Sequence, residues 1–86
     1  MNSQEMNLEF VGILNEWDPF AIGEGNYDIE IADCIQALHV LNNENTLAEQ
    51  IQSIYEFSFE ERIPYDQCLG ISRELIKVKN SGSCSF

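Results

Sequence analysis

Apolar residues recur every three or four positions in four separate stretches of this chain, and no stretch alternates regularly between apolar and polar residues. Spacings of three and four place side chains on one face of an α-helix, whereas strict alternation indicates a β-strand. The pattern therefore predicts four amphipathic helices, at about residues 3–16, 26–41, 43–57 and 64–79. The side chains expected to face the core are Met6, Phe10, Ile13, Leu14 and Trp17 in the first helix, Tyr27, Ile31, Cys34, Ile35 and Leu38 in the second, Leu47, Ile51, Ile54 and Tyr55 in the third, and Cys68, Ile71, Leu75 and Val78 in the fourth.

The predicted connections are short, and helices joined by short loops pack antiparallel. We therefore expect an all-α protein, a compact antiparallel four-helix bundle-like domain over residues 1–80. Ser81 and Gly82 are expected to end the fourth helix, which leaves residues 81–86 as a disordered C-terminal tail.

The longest connection, at residues 18–25, contains the helix breakers Pro19, Gly23 and Gly25. Asp18 is placed to accept hydrogen bonds from backbone N–H groups of this loop. Trp17 and Phe20 are the apolar side chains expected to hold the loop against the core.

Helix starts are indicated by capping residues. Asn26 or Asp28 is expected to cap the second helix, and Asn43 or Thr46 the third. Thr46 and Glu49 have the spacing of a capping box.

Charge is distributed very unevenly along the chain. Residues 1–61 hold 13 of the 15 carboxylates and no lysine or arginine, so they carry −13, while residues 62–86 carry +2, which gives the net −11. Such a charge disfavours phosphate backbones and anionic membranes, so neither a nucleic acid nor a membrane is expected as a partner. An apolar content of 44% with aromatic residues is typical of a folded domain rather than an acidic disordered chain.

Cys34, Cys68 and Cys84 are odd in number and lack C-x-x-C spacing. Free thiols in a reducing compartment fit this pattern, and the first residues do not resemble a secretory signal. A cytoplasmic location is therefore expected.

Catalytic and metal-binding patterns are weak. Asp28, Glu30 and Asp33 are close in sequence, but positions 28 and 30 point about 200° apart on a helix and do not converge on a small ion. His39, the single histidine, has no nucleophile placed beside it and is expected at the end of the second helix. We expect no enzymatic activity, no cofactor and no metal, with an acid-dependent enzyme or metal binder as an open alternative.

The leading functional hypothesis concerns the acidic surface. The first three helices form no internal Glu–Lys pairs and so forgo roughly 0.2–0.5 kcal/mol per pair. That loss favours a non-enzymatic binding protein with a basic protein partner. The carboxylates expected to bind this partner are Asp18, Glu24, Glu30, Asp33, Glu49 and Glu56.

Two alternatives remain. The acidic surface is also explained by solubility alone. A homodimer or a regulatory subunit with an apolar interface is the other alternative, and it depends on apolar residues outside the predicted inner faces, which are Ile29, Val40, Phe57 and Phe59. The oligomeric state, monomer or homodimer, stays open.

Three segments carry a family resemblance: NEWDPFAIG at residues 15–23, YDIEIAD at 27–33 and QSIYEFSFEE at 52–61. With the signature W-D-P-x-x-I-G…Y-D-x-E-I, the chain resembles the YugE-like small bacterial family of unknown function found in Bacillus and relatives, over residues 8–79. The resemblance implies a small all-helical cytosolic protein and supplies no activity and no catalytic residue. Shorter versions of the signature also occur in small proteins that look like toxin-immunity partners, which makes an immunity-type inhibitor the most concrete form of the binding hypothesis.

Overall fold

The computed structural model describes residues 3–23 and 25–83, and these residues form four α-helices with no strand. The helices are α1 (Ser3–Trp17), α2 (Asp28–Val40), α3 (Glu44–Phe59) and α4 (Tyr65–Ser83). The predicted all-α fold is therefore confirmed, with helix bounds that shift by at most four residues.

The helices form a four-membered ring. Each helix packs against the next along the chain, and α4 closes the ring against α1. The connections at residues 41–43 and 60–64 are too short to cross the domain, so α2, α3 and α4 run antiparallel to their neighbours. This arrangement is the predicted bundle.

The core is built from the predicted inner faces. Its centre holds side chains that are almost fully buried, which are Phe10, Leu14, Tyr27, Ile31, Cys34, Leu38, Leu47, Ala48, Ile51, Tyr55, Ile63, Cys68, Ile71 and Leu75. The remaining predicted positions pack around that centre and are partly buried, namely Met6, Ile13, Trp17, Ile35, Ile54 and Val78. The sequence pattern missed Ala48 and Ile63, and it also missed the buried Glu30 and Ser72.

Capping differs between the two helices for which it was predicted. Oδ1 of Asn43 accepts hydrogen bonds from the backbone N–H groups of Asn45 and Thr46 at 2.9 and 3.0 Å, so Asn43 caps α3. The capping box at Thr46 is wrong, because Thr46 already lies inside the helix.

The predicted caps of α2 are also wrong. Tyr27 holds the capping position without a side-chain hydrogen bond, and Asp28 is the first helical residue. The side-chain amide of Asn26 instead donates to the carbonyl groups of Ile22 and Gly23, at 2.7 and 3.3 Å. The side chain of Asn26, which was predicted to cap α2, therefore stabilises the loop instead.

α3 and α4 end at least two residues later than predicted. α3 continues through Phe59 and ends at Glu60, which adopts the left-handed conformation with φ 57° and ψ 29°. α4 continues to Ser83, so the predicted helix end at Ser81 and Gly82 is wrong, and residues 84–86 of the predicted tail lie outside the described part of the chain. Serine and glycine have low helix propensity, but the resulting loss of stability is small, so the helix continues through them.

Candidate protein-binding face

The loop between α1 and α2 is anchored to an aromatic cluster, as predicted. The rings of Trp17 and Tyr55 meet edge-on with centroids 5.3 Å apart, and the Phe20 ring lies 4.8 Å from that of Phe59. Tyr27 packs against Tyr55 and Phe59, with centroids 5.7 and 5.6 Å away. Phe59 therefore belongs to the core, and its prediction as a spare apolar residue was wrong because α3 extends far enough to bring it inward.

Asp18 organises the same loop. Its carboxylate accepts hydrogen bonds from the Tyr27 hydroxyl at 2.6 Å and from the backbone N–H groups of Ile22 and Gly23 at 2.9 and 3.1 Å. The Tyr27 bond, with the two backbone bonds, lowers the pKa of Asp18 against the opposing effect of desolvation. Both oxygens have intramolecular partners, so Asp18 holds the loop together, and its role in partner binding stays a prediction.

The other carboxylates predicted to bind a partner fall into three groups. Glu24 lies outside the described residues. Glu30 is buried along most of its side chain, with 7% exposure, and its role in partner binding stays a prediction. Asp33, Glu49 and Glu56 lie on the surface of α2 and α3 and remain candidates.

The burial of Glu30 has a simple geometric cause. Glu30 precedes Cys34 by four positions and Leu38 by eight, and residues four apart share one face of a helix. Both Cys34 and Leu38 are fully buried. That spacing is visible in the sequence. Glu30 was nevertheless predicted on the polar side of α2, because its neighbours Asp28 and Asp33 are also acidic.

Glu30 buries its stem rather than its charge. Among the described residues, the Tyr55 hydroxyl is the only fully buried side-chain oxygen or nitrogen without a hydrogen-bond partner. The Glu30 carboxylate makes no hydrogen bond or ion pair in this part of the chain, so its oxygens must still reach solvent. The structure thus fixes a carboxylate at the surface by packing its methylene groups.

Two surface hollows on α2 and α3 combine apolar and acidic side chains. One is a groove between the two helices, and the other lies on α3 near its C-terminal end. We call their combined surface, with the adjacent Ile29, the α2–α3 face. Its residues are Ile29, Asp33, Gln36, Ala37, Val40, Gln50, Ser53, Ile54, Glu56, Phe57 and Glu60.

The α2–α3 face carries the most exposed large apolar side chains of the described chain. Phe57 is 90% exposed, Val40 75% and Ile29 73%. Glu49 precedes Glu56 by seven positions, which places it on the same side of α3. Of the six predicted carboxylates, Asp33 therefore lines the groove, Glu56 lines the hollow on α3, and Glu49 lies on the same side of α3 as Glu56.

The basic residues either do not line the hollows of the α2–α3 face or already bind other groups of the protein. Arg73 pairs with Glu44 and Arg62 with Glu56, each at 3.2 Å and well exposed. Lys79 donates hydrogen bonds to the Leu38 carbonyl at 2.6 Å and to Oδ1 of Asn42 at 2.8 Å, at the end of α2. Among the described residues, no lysine or arginine lines either hollow of the α2–α3 face.

His39 lies in the last turn of α2, as predicted, and its Nε2 is 3.2 Å from Oδ1 of Asn7. Within residues 3–23 and 25–83, no three His, Cys, Asp or Glu side chains are grouped closely enough to hold a metal ion. None of the described helices has the length and apolar character needed to cross a membrane.

The buried thiols are chemically quiet. Burial raises the pKa of Cys34 to about 12 and that of Cys68 to about 11. A thiol of such high pKa holds almost no thiolate near neutral pH, and the thiolate is the reactive form. Both cysteines, which are unpaired in the structure, act as small apolar side chains of the core.

The fold and this face define a small all-α protein with an acidic and apolar surface. The chain belongs to the family described as a domain of unknown function, DUF1871, whose model matches residues 9–85. It is 40% identical over 77 residues to the uncharacterized protein YugE of Bacillus subtilis (strain 168), covering 90% of each chain. It also resembles the crystal structure of a protein from Bacillus stearothermophilus, with 40% identity and a TM-score of 0.91 over 93% of this chain and 99% of that one. The predicted family resemblance is thereby confirmed.

Proposed function

We propose that this protein is a non-enzymatic binding protein that docks a basic protein partner on the α2–α3 face. One observation carries the proposal: the three most exposed large apolar side chains of the described residues, Phe57, Val40 and Ile29, all lie on α2 and α3, and the hollows of these helices include carboxylates but no basic side chain of the described residues. Isolated exposed apolar residues are ordinary, whereas an apolar patch bordered by polar groups is typical of an interaction site. An immunity-type inhibitor that covers a basic protein is the most concrete form of this function.

The net negative charge of the protein supports a basic partner. The net charge of −11 attracts cationic proteins over long range and speeds their association. Glu56 is the one carboxylate of the face with an ion-pair partner among the described residues, and that pair is exposed and therefore weak. A cationic partner is free to replace Arg62 there.

The same surface argues against a homodimer as the main function. Two copies that buried Phe57 against each other would bring Glu56 and Glu60 of both chains together, and Arg62, which pairs with Glu56, offsets only one of these two charges in each chain. Like charges brought together at an interface cost on the order of several kcal/mol. Sedimentation at micromolar concentration distinguishes the homodimer hypothesis from the basic-partner hypothesis, because a concentration-dependent dimer favours an apolar interface between two copies.

The proposal is tested by affinity capture from a Bacillus lysate at about 50 mM and about 500 mM salt, since a longer screening length at low salt strengthens charge pairing. We expect a basic protein to be retained at low salt and released at high salt. Absence of any basic protein at low salt would remove the proposal.

Matched variants localise the binding surface. Phe57→Ser removes the most exposed apolar side chain of the face, and Leu8→Ser removes an exposed apolar side chain from α1. Both changes leave the core intact. We expect Phe57→Ser to abolish the capture and Leu8→Ser to preserve it, and equal losses in both variants would place the binding site elsewhere.

A further inference from the structure

We infer that the partner binds the α2–α3 face with an amphipathic helix, and that a basic side chain of this helix reaches the carboxylate of Glu30. The inference rests on the proposed function and names the recognition element at the same site. It follows from the shape of the face, from its backbone and from the fixed position of Glu30.

The dimensions of the face suit a helix of about three turns. Ile29 and Val40 are eleven residues apart on α2, which corresponds to roughly 16 Å at 1.5 Å per residue. Ala37 and Ile54 line the groove between them. A partner helix with apolar residues at positions i, i+4, i+7 and i+11 matches this length and places its basic residues along the acidic borders.

The backbone of the face excludes pairing with an extended strand. Every residue of the α2–α3 face except Glu60 lies inside α2 or α3, so the face has no row of free backbone groups like the edge of a sheet, and unbonded N–H and C=O groups occur only at the helix ends. An extended peptide would therefore leave its own N–H and C=O groups without partners over the apolar centre. A helix satisfies these groups internally and presents only side chains.

Glu30 is the carboxylate best prepared for a buried ion pair. Its stem is held by packing, so little side-chain freedom remains to be lost on binding. It lies one turn before Asp33 and next to Ile29, at the end of the face where α2 begins. Asp33, by contrast, is exposed to solvent on the groove border.

The nearby titratable and charged groups do not neutralise Glu30. Asp28 and Asp33 are on α2, and Cys34, Tyr27 and Tyr55 are the groups beneath it, with pKa values that are all raised by burial. None of them is a cation at neutral pH. A lysine or arginine from the partner is the counter-charge that this position lacks.

The test uses three synthetic 18-residue peptides and the full-length protein. The first peptide places leucines at the helical spacing above and lysines elsewhere, the second has the same composition with leucine and lysine alternating, and the third replaces lysine by glutamate. Amide chemical shifts of the labelled protein report where each peptide binds. We expect the helical basic peptide alone to perturb α2 and α3 in a saturable manner.

Two variants make the role of Glu30 specific. Glu30→Gln removes the charge and keeps the stem, and Glu9→Gln removes an exposed charge from α1. Because a charge-assisted contact is lost, the affinity for the helical basic peptide should fall about tenfold in Glu30→Gln and less than twofold in Glu9→Gln. Circular dichroism establishes that both variants are folded, and Phe57→Ser replaces Glu30→Gln as the probe if the latter is not.

The outcomes are distinct. Equal affinity of the two glutamine variants, equal binding of the alternating peptide, or perturbations centred on α1 or α4 would each overturn the inference. The proposed function survives those results as long as the captured basic protein still depends on Phe57. Failure to capture any basic protein removes the proposed function itself, whatever the peptides do.

Discussion

The hydroxyl of Tyr27 donates a 2.6 Å hydrogen bond to Oδ1 of Asp18, nine residues earlier in the chain. The same hydroxyl accepts a hydrogen bond from the backbone N–H of Phe20 at 3.1 Å. The loop between α1 and α2 is thus tied to the first core residue before α2. Because that tie sets the position at which α2 begins, it also supports the Ile29 end of the α2–α3 face.

The two buried tyrosines provide the first prediction. Tyr27→Phe deletes the bonds to Asp18 and Phe20 and should lower the free energy of unfolding by about 1–3 kcal/mol. The Tyr55 hydroxyl has no oxygen or nitrogen partner among the described residues, and a thiol such as that of the nearby Cys34 is a weak partner, so Tyr55→Phe should change stability much less than Tyr27→Phe. Urea unfolding followed by circular dichroism measures both, and a larger loss in Tyr55→Phe would contradict the hydrogen-bond assignment.

Acid stability should depend on Asp18. Its pKa is lowered in the folded state, so its contribution is present above the unfolded pKa of about 4 and is lost as pH falls through the lower folded value. Asp18→Asn should therefore be less stable than the parent at pH 7 and lose less stability between pH 5 and pH 2. Unfolding midpoints across that range test the prediction, and parallel pH profiles of the two proteins would refute it.

The left-handed residue at the end of α3 offers a stabilising substitution. Glu60 has φ 57°, a conformation that glycine adopts without the steric penalty of a Cβ atom. Glu60→Gly should raise the free energy of unfolding by about 1 kcal/mol, since a residue with a Cβ atom is strained there by roughly that amount. Glu61→Gly, one position later and outside the positive-φ residues, is the control and should destabilise the protein slightly.

Lys79 should stabilise the junction between α2 and α3. Its ammonium group donates to the Leu38 carbonyl and to Oδ1 of Asn42, where the α2 dipole is negative. Lys79→Met should lower the free energy of unfolding by about 1.5–3 kcal/mol, the range of hydrogen bonds to charged groups. Lys77→Met removes a lysine of the α1–α4 groove and is the matched control, so an equal effect in both variants would assign the change to net charge.

The helical pattern was predictable because the four buried faces follow the period of the α-helix. Asn43 was predictable as a cap for a similar reason, since a short polar side chain directly before a helix bonds the first free N–H groups. These features depend on residues within one or two turns of each other. The aromatic anchors Trp17 and Phe20 were predictable because the loop holds few other apolar side chains.

The features that escaped prediction join distant parts of the chain. Lys79 bonds to Leu38, 41 positions away, and no local pattern signals that contact. Phe59 becomes a core residue because the rings of Phe20 and Tyr27 surround it, which in turn requires the loop to fold over the end of α3. The candidate face was predictable in part, since the sequence pattern already left Ile29, Val40 and Phe57 outside the inner faces of the helices. Their positions relative to one another depend on how α2 packs against α3, which the sequence pattern does not give.

Charge reversal at matched positions is the most direct test of the central claim, which is that the α2–α3 face binds a basic partner. Asp33→Lys on the face and Glu9→Lys on α1 change the net charge by the same amount. Calorimetric titration with the captured partner should show affinity lowered more than about tenfold by Asp33→Lys, as unfavourable charge at an interface requires, and far less by Glu9→Lys. Equal weakening by the two variants would show that binding follows net charge alone and would contradict the claim.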